Sequence, residues 1–160
     1  MSVISSVSPA VIAILPTTAI AALTTTDIQS LTASQVAALG VTQIEVLADT
    51  QVAALETTDV KALTTTQIGT LTSTQFSFSA AQLAVLNSTQ IEALTTSQVG
   101  GLTATQAKAL SVTQLAALES TDLKALSTTN IALLTTTQIK SLTATQLGDL
   151  TDTQIGRAHV

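Results

Sequence analysis

From Val7 onward one octad recurs about nineteen times, with the consensus Leu-Thr-x-Thr-Gln-Ile-x-Ala. Units such as Leu31–Ala38, Leu63–Thr70, Leu94–Gly101 and Leu142–Asp149 differ only in detail. Counting from the leucine, apolar residues hold the first and sixth positions and alanine most often the eighth. Thr or Ser fills most second and fourth positions, and Gln, sometimes Asp or Asn, most fifth positions. An unbroken α-helix does not accommodate this spacing. Eight residues at about 100° each overshoot two turns by about 80°, so the apolar stripe would wind around the axis. An unbroken strand fails as well, because the first and sixth positions have opposite parity and face opposite sides.

A short helix that restarts in every octad satisfies both constraints. Thr-x-x-Gln from the second to the fifth position, as in Thr64–Gln67, is a capping box: the hydroxyl accepts from the third helical amide and the Gln reaches back to the cap's N–H. The flanking Leu63 and Ile68 form the accompanying hydrophobic staple. Pro9 follows Ser8 at the first helical position, where proline is tolerated best. A helix of one to two turns has no stability of its own, so stacking between units must supply it.

The seventh position separates alternate octads. One set reads Ala13, Gln29, Glu45, Lys61, Ser77, Glu92, Lys108, Lys124 and Lys140. The other reads Ala21, Ala37, Ala53, Gly69, Ala84, Gly100, Ala116, Ala132 and Gly148, with nothing larger than alanine. This alternation predicts an all-α solenoid of short helices with two octads, 16 residues, per coil and one charged and one bare side. Glu45 would then stack on Lys61 and Glu92 on Lys108, and Lys108, Lys124 and Lys140 would form a basic row. The alternative is a β-solenoid with three octads per coil, favoured by the Thr content but short of the Gly, Asn and Asp that tight corners require. The unit Leu71–Ser77 lacks one residue, which predicts a tightened corner with Phe76 and Phe78 in its core.

Composition narrows the chemistry. Ten acidic against five basic residues, a net charge of −5, argue against nucleic acid, whose phosphates require clustered Lys and Arg. There is no cysteine and no apolar run of membrane length. Met1–Leu15 lacks a basic segment and reads as an irregular first repeat rather than a signal peptide. A Ser/His/Asp arrangement would depend on His159, the single histidine. The acidic pairs Glu56 with Asp59, Glu119 with Asp122 and Asp149 with Asp152 lack a third ligand nearby in sequence. No cofactor, metal or small-molecule substrate is expected, and no enzyme. Ile155–Val160 resembles the translation of a common sequencing adapter, so one solenoid is expected over 1–154 and a non-native tail over 155–160.

The wording Leu-Thr-x-x-Gln-Ile-x-Ala-Leu, as in Leu63–Leu71 and Leu134–Leu142, resembles octapeptide repeat tracts of large bacterial secreted or surface proteins, adhesin-like and haemolysin-type. The resemblance implies a spacer or scaffold segment in a secreted or cell-surface setting, and carries over no functional residue. From the residues themselves, the nine small residues Ala21 through Gly148 are the candidate lateral contact face, through which two copies would pair as a homodimer. The alternative is a binding module, for ice or a protein partner, on a flat Thr/Ala face.

Overall fold

Each octad folds as one cap, one short helix and one extended corner. The unit at Leu63 shows the sequence logic. Thr64 is extended (φ −74°, ψ 159°) and caps the helix that follows. Its Oγ1 accepts the Gln67 N–H at 3.2 Å, while its own N–H donates to Gln67 Oε1 at 2.8 Å. The helix ends where Leu71 turns extended (φ −58°, ψ 129°) and donates its N–H to the Ile68 carbonyl at 3.2 Å. At the corner before this helix, Leu63 (φ −57°, ψ 135°) and Thr64 are two consecutive extended residues. Among the described residues none has a positive φ, so the corners need neither Gly nor Asn in a left-handed conformation.

The computed structural model describes residues 3–158. After a 3-10 turn at Val3–Ser6 come α1 (Pro9–Ile14), α2 (Thr17–Ala21), α3 (Thr25–Gln29), α4 (Ala33–Ala38) and α5 (Val41–Glu45). These are followed by α6 (Asp49–Ala53), α7 (Thr57–Ala62), α8 (Thr65–Thr70) and α9 (Ala80–Ala84). The second half holds α10 (Ser88–Glu92), α11 (Thr96–Gly100), α12 (Ala104–Ala109), α13 (Val112–Ala117) and α14 (Ser120–Ala125). It closes with α15 (Thr128–Ala132), α16 (Thr136–Lys140), α17 (Ala144–Asp149) and α18 (Asp152–Ala158). No strand occurs among the described residues. The fold is an all-α solenoid of short helices, and the β-solenoid is excluded.

The lap contains three octads, not two. Two compact units divide the chain, Met1–Val85 and Leu86–Val160. In the first, α1, α4, α7 and α9 form one stack, α2, α5 and α8 a second, and α3 and α6 a third. In the second, the stacks are α10–α13–α16, α11–α14–α17 and α12–α15–α18. Within each unit the stacked helices are three repeats apart, and a lap takes 24 residues. The 16-residue coil expected from the alternating seventh position is overturned. The alternation runs from lap to lap up each stack and does not divide the lap into two sides.

Three helices per lap enclose a core that the octad fills without remainder. The sixth-position residues Val36, Ile44, Val60 and Ile68 are at most 1% exposed, and the first-position leucines line the same interior. The short unit Leu71–Ser77 forms a turn in place of a helix, and Ser77 Oγ donates to the Asp49 carbonyl of α6 at 2.8 Å. Phe76 and Phe78 are buried there with ring centroids 4.8 Å apart at 52°. The expected tightened, aromatic-filled corner is present.

The cap rule yields one stability prediction. Ala48 stands at the N-cap of α6, extended and without a side-chain bond. Ala48→Thr should stabilise the protein by about 1 kcal/mol, read as a higher midpoint of urea unfolding at unchanged slope. An unchanged or lower midpoint contradicts the capping account.

Candidate functional site

The fifth-position glutamine is buried, and it joins the laps. Gln35, Gln43, Gln51, Gln67, Gln82, Gln114 and Gln146 are all at most 5% exposed. Each has two ends with separate work. Oε1 of Gln67 closes the capping box of its own helix, and Nε2 donates to the Val36 carbonyl at 2.9 Å and the Leu39 carbonyl at 2.8 Å. Gln43 does the same to Ile12 and Leu15, and Gln146 to Leu115 and Leu118. The acceptors are a sixth-position carbonyl in the last turn of one helix, which also takes the N–H of the corner leucine, and the carbonyl of that leucine. Their separations of 31 and 28 residues measure the lap directly. Subtracting the four residues between first and fifth positions from 28 leaves 24. Gln82 reaches back only 27, to Leu55, because the seven-residue unit lies between.

Such a joint satisfies groups that a short helix leaves open. A helix of five or six residues has few internal hydrogen bonds, and its terminal amides and carbonyls need outside partners. Here one side chain serves the N-terminus of its own helix and the C-terminal carbonyls of the lap before. Among the described residues no buried side-chain nitrogen or oxygen lacks a partner. Sequence reasoning found the capping half of this role and missed the lap-joining half. The fourth-position Thr does not turn toward the core. Thr66, Thr105 and Thr137 are exposed, and the fifth position points inward instead.

Substitutions at the joint are informative. Asn130 Nδ2 still reaches the Leu102 carbonyl, 28 residues back, at 2.7 Å. Asp122 has no donor, but Thr96 Oγ1 of α11, one lap earlier, donates to its Oδ1 at 2.6 Å. Asp59 is 2% exposed and its Oδ2 accepts the Glu56 N–H at 3.2 Å. Its carboxyl is pushed above the usual carboxylate range, mainly by burial; the backbone bond from Glu56 opposes this and the Glu56 charge adds to it. Glu56 and Glu119 stand at N-caps without a side-chain cap bond.

Within each unit the small seventh-position residues are distributed over different stacks. Ala21 and Gly69 lie on α2 and α8, Ala37 and Ala84 on α4 and α9, and Ala53 on α6. Gly100 and Gly148 lie on α11 and α17, Ala116 on α13 and Ala132 on α15. An alternation of two carried around a lap of three visits every stack in turn. The alternation has a different meaning. Lys61 stands between Ala37 and Ala84 in its stack, Glu45 between Ala21 and Gly69, and Lys124 between Gly100 and Gly148. Long side chains are separated by small ones, so no two charged seventh-position residues occupy neighbouring laps of one stack. At Gly100 a β-carbon would lie 3.4 Å from the Ala125 carbonyl of the next lap, at ordinary contact distance. The expected pairs Glu45–Lys61 and Glu92–Lys108 fall on different stacks, and so do the three members of the basic row.

No group of three potential metal ligands occurs among the described residues, and no helix there is long and apolar enough to cross a membrane. His159, on which a catalytic triad would have depended, lies outside the described residues, as does the end of the expected tail. Ile155, within that tail, occupies the sixth position of α18 in register with the octads before it.

The joint makes a sharp prediction. Gln67→Met keeps the length and removes both ends, leaving the Thr64 N–H and the Val36 and Leu39 carbonyls without this partner. The expected loss is about 2–4 kcal/mol of unfolding free energy. Thr66→Ala, one residue away but exposed, should change stability by less than about 0.5 kcal/mol. Equal effects in chemical denaturation would contradict the assignment.

Comparison with known proteins fits this geometry. The sequence pattern of the ALTTAQ repeat matches four times, at residues 20–57, 52–78, 77–104 and 115–152. Comparison with curated proteins gives no match, and neither does comparison with solved structures. The matched residues cover well over half of the chain, across both compact units and all their stacks. The chain belongs to the ALTTAQ repeat family.

Proposed function

We propose that the chain is a non-enzymatic structural repeat, a rigid spacer or scaffold segment of a larger bacterial protein. The observation that carries this reading is where the polar chemistry goes. The recurrent buried side chain with both donor and acceptor is the fifth-position Gln, and its bonds go to its own cap and to the preceding lap. The charged seventh-position residues are spaced out among Ala and Gly up each stack. A solenoid whose laps are joined by buried hydrogen bonds resists bending between laps, which is what a spacer requires. The resemblance to tracts of secreted or surface proteins supports a setting outside the cell.

Rigidity is measurable, because the chain has no cysteine to interfere with labelling. Spin labels at Ala13→Cys and Ala84→Cys mark the first and last helices of the α1–α4–α7–α9 stack, three lap steps apart. At ordinary helix spacing the backbone positions lie about 24–30 Å apart. Electron–electron resonance should give a single narrow distance distribution. A broad or multimodal one contradicts a spacer. The same protein should show no thermal hysteresis and no shaping of ice crystals; either would favour an ice-binding module instead.

A further inference from the structure

One lap joint in the first unit differs from every other in its chemistry. Where Gln67 and Gln43 donate to the preceding lap, Asp59 presents a carboxyl group, buried as deeply as the glutamines. The repeat register sets it opposite the Ile28 and Leu31 carbonyls, 31 and 28 residues back. A carboxylate has no proton to offer them; a carboxylic acid has one. Whether a side chain of this length can reach is answered by Asn130, the same shape at the same position, whose Nδ2 meets the Leu102 carbonyl, 28 residues back, at 2.7 Å. Whether an ionised Asp can be accommodated is answered by Asp122, which accepts from the Thr96 hydroxyl one lap earlier. The residue equivalent to Thr96 in the lap before Asp59 is Ala33, which has no hydroxyl.

We infer that the joint between α4 and α7 is a proton-operated latch, in which Asp59 as the neutral acid donates to the Leu31 carbonyl and as the carboxylate releases it. One Asp59 oxygen keeps the bond from the Glu56 N–H in both states, and the other gains or loses the proton. The elements stacked on α7 carry no titratable group: α4 reads Ala33–Ala38 and α9 Ala80–Ala84. Its own unit carries Glu56 and Lys61, and α3, which supplies the Ile28 carbonyl, carries Asp27, whose carboxylate accepts from the Thr24 N–H and hydroxyl. Burial favours the acid, and so does the Glu56 carboxylate. The sign follows from linkage. A carboxyl held above its unfolded range binds more protons folded than unfolded, so its stabilisation is greatest at acid pH and falls as pH rises through the folded midpoint.

The test follows the Asp59 carboxyl carbon by NMR in the intact chain, and melting temperature, from pH 3 to pH 8. Asp59 should titrate above the ordinary aspartate value. Asp59→Asn, which keeps the donor at every pH, should lose the fall in melting temperature across that window and melt higher at pH 7. Ala33→Thr supplies the hydroxyl that serves Asp122 and should move the Asp59 midpoint down toward the ordinary value. Titration of Asp59 at the ordinary value, or an Asp59→Asn profile parallel to the parent's, would overturn the latch.

Discussion

Everything in this fold depends on a single side-chain amide, repeated. A helix of five or six residues cannot stand alone, and a lap of three such helices exposes a carbonyl pair at each corner unless something donates to it. The fifth-position glutamine supplies that donor while its oxygen caps the helix it belongs to. Both functions need a neutral group with a donor and an acceptor on one planar amide, at the end of two methylenes. Buried hydrogen bonds of this kind are worth modest net energy when made and cost far more when half-made. That asymmetry is why the position tolerates so little, and why its departures are compensated at Asp122 and conditional at Asp59.

The hydrophobic core is the second constraint, and it is uniform. Sixth-position aliphatics and first-position leucines pack with little aromatic content, each worth roughly 1.5–3 kcal/mol before chain entropy is counted. Because each octad contributes nearly the same residues, direction and register come from the glutamine joint rather than from distinctive core shapes. The one irregularity, the seven-residue unit, shortens the joint from 28 to 27 residues and fills its corner with Phe76 and Phe78. Register survives the deletion because the joint is local to each corner.

Much of the local structure was legible in the sequence. Helix class, cap positions and corner positions follow from the capping box and from parity arithmetic. The number of octads per lap was not legible from the seventh-position alternation, because an alternation of two is compatible with any odd lap if it runs between laps. Lys61 between Ala37 and Ala84, and Lys124 between Gly100 and Gly148, show how it runs. A better signal lay in the fifth position. Val11, Ala19 and Asp27 fill it in the first three octads, and Gln35 is the first side chain to reach back, to Ile4 and Val7. A change of residue type after three units marks a period of three. Residues that alternate along the chain need not lie on one stack, as Ala21 on α2 and Ala37 on α4 show.

The account stands or falls on which backbone the buried amide meets. With Gln67 alone carrying nitrogen-15, its Nε2 protons should show nuclear Overhauser contacts to Leu39, 28 residues back, as the 2.8 Å bond to that carbonyl requires. Contacts to Leu47, 20 residues back, would mean a two-octad lap, and a solvent-exchanging amide without long-range contacts would mean no joint; either result contradicts the structure described.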